Sequence, residues 1–171
     1  MKNFRLAQIV FLLIILCAIV GYGIYYPQLP ERVASHFGAD GRPNGWQSKS
    51  MFTTFFYGAM GIAAVVGFLV PLLLGALSPT MINLPNKDYW LAPERRENSV
   101  HFLQDQMTWF GCAVLLLLCF AMYSAIQANL TPNPTMDPTT FFIALGAFVA
   151  FAIYSAVRMF SRFAKPQGAQ K

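Results

Sequence analysis

Apolar side chains in this chain gather into four long runs, at about residues 6–26, 51–77, 107–126 and 141–160, and the charge and most of the proline fall between them. The first run holds no ionisable side chain but tyrosine and only Gln8 as a clearly polar interruption. At 1.5 Å per residue it reaches roughly 30 Å, enough to cross the hydrocarbon core of a bilayer. The pattern predicts an all-α integral membrane protein with four transmembrane helices. A secretory signal peptide competes for the first run, because Lys2 and Arg5 precede it, but no small-x-small cleavage site follows, so an uncleaved span is expected. The second run is longer than a bilayer needs and contains Pro71, where a tilt or kink would absorb the excess. Ala59, Ala63 and Gly67 recur every four residues there, and Gly146 and Ala150 repeat that spacing in the fourth run. Small side chains on one helix face predict close helix packing.

Composition narrows the class. With 56% hydrophobic and 11% charged residues, the chain is too apolar for a soluble domain, where about 25% of residues are charged, and for a disordered one. Three cysteines are too few for a disulfide scaffold. Cys17, Cys112 and Cys119 fall inside apolar runs and read as small hydrophobes.

Charge is sorted by loop. Lys2, Arg5, Lys87, Arg95, Arg96, Arg158, Arg162, Lys165 and Lys171 flank the termini or the 78–106 loop, whereas Arg32, Arg42 and Lys49 are in the 27–50 loop and the 127–140 loop has no cation. By the positive-inside rule, both termini and the 78–106 loop are expected in the cytoplasm, with 27–50 and 127–140 outside. The net charge of +5 then reflects topology and contact with membrane lipids; nothing points to nucleic acid.

The external 27–50 loop is dense in turn chemistry: Gly38, Asp40-Gly41 and Pro43-Asn44-Gly45. A compact short hairpin is expected, with arms Arg32 to Phe37 and Arg42 to Trp46. Its candidate recognition residues are Pro30, Glu31, His36, Phe37, Asp40, Gly41, Pro43, Asn44, Gly45 and Trp46. His36 near Asp40, Glu31 and Ser35 admits a metal-ligand or general-base reading. It equally admits ligand recognition or a purely structural turn residue, since one histidine and a carboxylate fall short of a metal set. Neither a metal, a cofactor nor a catalytic residue is assigned.

The 78–106 loop offers Asn83, Pro85, Asn86, Lys87, Tyr89, Trp90, Pro93, Glu94 and Arg95. Pro93 with Glu94 opens a helix expected to run into the third span. On it Glu97 and His101 stand four apart and can pair. Tyr89-Trp90, an aromatic pair in a polar loop, reads as an interfacial anchor or as a contact for a cytoplasmic protein partner.

Leu29-Pro30-Glu31-Arg32, Ser35-His36-Phe37, Gly41-Arg42-Pro43-Asn44-Gly45-Trp46 and Ser48-Lys49 together resemble a bacterial membrane domain of unknown function. It is also found at the N-terminus of Sdp-type toxin immunity proteins. The resemblance covers roughly the first 75 residues, while Asn83 to Lys87 and Pro93 to Arg95 are similar to a segment of short relatives. It implies a bacterial inner-membrane protein. Where members have a known role, it implies protection against a secreted antimicrobial peptide and capture of a transcriptional repressor at the membrane. Those proteins are longer, with a further C-terminal membrane domain.

Three functional readings follow: membrane-bound recognition in immunity or signalling, an accessory subunit of a larger membrane complex, or a membrane enzyme using His36. The two loops would be separated by roughly 30 Å of hydrocarbon, so they cannot share one site.

Overall fold

The computed structural model describes residues 2–164, with side chains from residue 5 onward; Lys165 and Lys171 lie outside that range, as does the side chain of Lys2. Among the described residues, four helices are long and apolar enough to cross a membrane: Arg5–Gln28, Lys49–Ala76, Pro93–Asn129 and Pro138–Ala164. The elements in order are α1 (Lys2–Tyr25), strands β1 (Arg32–Phe37) and β2 (Pro43–Ser48), α2 (Lys49–Ala64), α3 (Val70–Leu73), α4 (Lys87–Trp90), α5 (Pro93–Asn129) and α6 (Pro138–Ala164). This is the four-helix membrane architecture that the hydropathy pattern predicts, with a two-stranded hairpin added.

Local chemistry sets the boundaries. Ser48 ends β2 and caps α2, its hydroxyl accepting from Met51 N at 3.2 Å. Pro93 opens α5, as expected. Asp137 opens α6, its carboxylate accepting from Thr139 N at 3.0 Å, from Thr140 N at 3.2 Å and from the Thr140 hydroxyl.

The second span is interrupted where Pro71 predicts it. Proline has no N–H and its ring collides with the carbonyl four residues earlier, here Gly67. The backbone responds by widening into a π-helical turn at Val65–Leu69 before α3. The same turn holds the tightest helix crossing. A Cβ on Gly111 of α5 would lie 2.7 Å from Gly67 Cα and 3.0 Å from Phe11 Cε2. Of the three small residues expected to form a seam, Ala63 and Gly67 are buried and Ala59 is half-buried.

α5 is the axis of the bundle, packing on α1, on α2 and its π turn, and on α6. One core runs along α1, α2 and α5 from Phe11 to Ile126. A second fills the far end with Leu74, Ile82, Trp90, Leu91, Val100, Leu103 and Phe163. α6 packs mainly on α5, and its last turn enters the second core through Phe163. Gly146 and Ala150 are exposed on it, and nothing stands within 4 Å of a Cβ built on Gly146, so the small-residue seam expected there has no partner helix in the monomer.

Candidate functional site

The turn residues do what their chemistry suggests. Gly38 N donates to Arg42 O at 2.8 Å, Gly41 N donates to Gly38 O at 2.9 Å, and Asp40 Oδ1 accepts from Arg42 N at 3.1 Å. Gly41 has a φ of +78°, and a Cβ there would fall 2.1 Å from Met136 O. Its own carbonyl accepts from Met136 N at 2.9 Å. The glycine therefore serves two ends, a left-handed turn and the docking of the 127–140 loop. Gly45 leaves room for His36, whose Cβ lies 2.9 Å from where a Cβ on Gly45 would be.

β1 and β2 pair antiparallel, with Arg32 opposite Ser48, Val33 opposite Gln47 and Ala34 opposite Trp46, and with irregularities on either side of His36. Val33 and Ala34 are fully buried. What holds them down is Asn129, at the end of α5: its Oδ1 accepts from Ala34 N at 2.7 Å and its Nδ2 donates to Ala34 O at 2.8 Å and to Ala125 O at 2.8 Å. One buried side-chain amide thus takes the place of a neighbouring strand. Entry to the hairpin is fixed by Lys49, whose Nζ donates to Leu29 O at 3.0 Å and sits 4.5 Å above the Tyr26 ring.

These contacts enclose a cleft of about 550 Å³ beneath the hairpin. Its floor is apolar, with Phe52, Met122, Met136, Phe141 and Phe142, and its rim carries Ser35, His36 and Asn44. Of the residues singled out in this loop, His36, Phe37, Gly41 and Asn44 line the cleft. Pro30, Glu31, Asp40 and Trp46 are exposed and do not line it, and Pro43 and Gly45 are half-buried in β2. His36 is exposed, its Nδ1 2.8 Å from Ser35 O. Among the described residues no three His, Cys, Asp or Glu side chains gather as a metal set would require.

The other loop residues meet at the opposite end. Trp90, read from sequence as an exposed aromatic, is 3% exposed. It packs edge-on against Phe163, lies beneath the Arg162 guanidinium at 4.3 Å and donates from Nε1 to Phe163 O at 3.1 Å. Asn86, with a φ of +53°, donates from Nδ2 to Phe163 O and Ala164 O, each at 3.0 Å. These two side chains bond the last described carbonyls of α6. Arg96 does the same for the second span, donating from Nη2 to Gly75 O at 3.0 Å and Leu77 O at 2.7 Å. Arg95 donates to Tyr89 O at 2.8 Å with its guanidinium 4.0 Å from the Tyr89 ring. An aromatic in a polar loop read as an anchor or a partner contact; Trp90 is instead buried in a satellite core. Asn83, Pro85, Lys87 and Glu94 remain exposed, and Pro93 is exposed as the first residue of α5. Glu97 and His101 do pair, at 3.5 Å.

Sequence reading missed Asn129, since a lone asparagine after an apolar run reads as a loop residue. It also missed Gln106 and Ser155, buried partners at 3.4 Å between α5 and α6. No curated protein and no solved structure matches the chain. Residues 12–62, from within α1 through the hairpin into α2, match the family model of a domain of unknown function, DUF1648.

Proposed function

We propose that this is a bacterial inner-membrane protein, with both termini in the cytoplasm, that recognises a secreted antimicrobial peptide at its hairpin end. Its role is immunity or signalling of the Sdp type, the latter through a cytoplasmic protein partner at the 78–106 loop. The observation that carries the reading is the cleft beneath the hairpin, with its apolar floor and polar rim. Such a mixed lining suits an amphipathic ligand arriving at the membrane surface. The matched domain contains the hairpin that roofs it.

The test is survival. A strain lacking the gene, challenged with secreted antimicrobial peptides, loses resistance to at least one of them. Wild-type protein restores it, and Ala121→Trp, which fills the cleft from its α5 wall, present in the membrane at equal abundance, does not. Unchanged survival of the deletion strain rejects immunity. A second reading, an accessory subunit of a larger membrane complex, is favoured by the unpartnered Gly146 and Ala150 on α6. It predicts that gentle detergent extraction yields a larger heteromeric assembly, lost on Gly146→Leu.

A further inference from the structure

Hydrogen-bond direction alternates along an antiparallel strand pair, so residues facing each other either exchange both of their backbone bonds or direct them outward. Lys49 N donates to Glu31 O at 2.9 Å, which makes Glu31 and Lys49 a bonded pair. Stepping along the register, Val33 and Gln47 form the next, and Ala34 and Trp46 point their N–H and C=O away from each other. On the β1 side those outward groups are accounted for, because Asn129 binds both groups of Ala34. On the β2 side the sheet ends, being two-stranded, so no third strand stands beside Trp46 among the described residues. The hairpin thus has one edge sealed by α5 and one edge open.

An open edge with paired donor and acceptor is a template for an extended backbone. Its surroundings favour one kind. Asn44, Trp46 and Ser48 are exposed along the strand, with Trp46 43% exposed, and Arg32 lies over the Trp46 ring at 5.5 Å. The Arg42 side chain, 82% exposed beside the turn, stands 3.9 Å from the Asp40 carboxylate. Two copies joined edge to edge around Trp46 would bring these like charges together, which opposes self-pairing. An acidic peptide gains from the Arg32 charge beside Trp46, and a neutral one is not repelled by it.

We infer that the hairpin captures its peptide by strand addition: an extended, neutral or acidic segment of the external peptide pairs along the open edge of β2, bonding the N–H and C=O of Trp46. This rests on the proposed reading of the hairpin end as a peptide-recognition face, and specifies its mode. Backbone pairing supplies the affinity, while alternate side chains of the bound segment supply the specificity.

The probe is a random peptide library displayed on phage, selected against the full-length protein in lipid nanodiscs. Strand addition makes the selected peptides sensitive to N-methylation at the amide that pairs with the Trp46 C=O: binding falls roughly tenfold there, the affinity of one or two net hydrogen bonds, and holds at the neighbouring amides. Trp46→Pro, which deletes the outward N–H without touching a ladder bond, weakens binding by a similar factor, and Trp46→Ala, which keeps it, weakens binding less. N-methyl scanning of the peptide needs no change in the protein, so it stands even where Trp46→Pro misfolds. Peptides that bind, lose affinity for Ala121→Trp and ignore N-methylation at every position overturn strand addition while leaving the recognition reading intact. Absence of any selected binder overturns both. With the three natural cysteines replaced by alanine, a disulfide-linked dimer of Trp46→Cys overturns the open edge by showing a second copy on it.

Discussion

Asn129 and Ala34 are 95 residues apart in sequence and joined by two hydrogen bonds in the interior. A buried amide hydrogen that loses its acceptor forfeits the whole desolvation cost, about 1–3 kcal/mol for each group. Asn129→Leu, similar in size, should therefore destabilise the protein by roughly 2–4 kcal/mol. It should also speed amide exchange across residues 32–37 while the centre of α5 stays protected. Unaltered exchange in β1 would show that Asn129 is no latch. Asp137 acts at the same scale through charge. The Thr140 hydroxyl, followed by the Thr139 and Thr140 amides, holds its carboxyl below the usual carboxylate range. A carboxyl lowered on folding adds stability at pH values above its unfolded value and loses it as the pH falls through the folded one. Acid unfolding of the wild type should accordingly show a contribution below about pH 4 that Asp137→Asn lacks, seen by comparing their melting temperatures from pH 7 downward.

Elements divide by how far apart their causes lie. Each of the four spans is a local property, because bilayer thickness sets the length of an apolar run. The hairpin is nearly as local, since its turn is built by Gly38, Asp40 and Gly41 within five residues. Even the break in the second span follows from Pro71. What could not be read in this way are the contacts between elements: Trp90 looked like a surface aromatic because its partner, Phe163, comes 73 residues later, and Asn129 looked like a loop residue for the same reason. The cleft under the hairpin draws on four separate parts of the chain and has no signature in any one of them. Gly111 illustrates the point in a form that can be measured. Nothing in its neighbourhood along α5 demands a glycine, yet Gly67 and Phe11 meet it from two other helices. Gly111→Ala forces backbone apart rather than a flexible side chain, and overpacking of this kind costs about 1–3 kcal/mol. A lowered melting temperature in detergent is expected, with more loss for Gly111→Val; a neutral Gly111→Ala would mean that the crossing is looser than 2.7 Å implies.

At the scale of the whole molecule, the two ends are built differently. α5, 37 residues long, extends about 55 Å at 1.5 Å per residue, well beyond a hydrocarbon core of about 30 Å. Its C-terminal end pins the hairpin through Asn129, and its N-terminal end holds the 78–106 loop through Arg95 and the end of the second span through Arg96. Ligand binding at one end can reach the other only by shifting this helix or its packing between two arrangements. Which end faces outward is set by charge. Lys87, Arg95, Arg96, Arg158 and Arg162 lie at the 78–106 end, against Arg32, Arg42 and Lys49 at the hairpin. The positive-inside rule counts these residues whether or not their side chains are engaged in caps, since sorting precedes folding. In a variant with Cys17, Cys112 and Cys119 replaced by alanine, a cysteine at Ala39 in the exposed hairpin turn should react with a membrane-impermeant maleimide in intact cells. One at Thr80, exposed in the other loop, should react only after permeabilisation. The reverse pattern would place the cleft in the cytoplasm, out of reach of any secreted peptide, and with it would fall both the recognition reading and strand addition from outside.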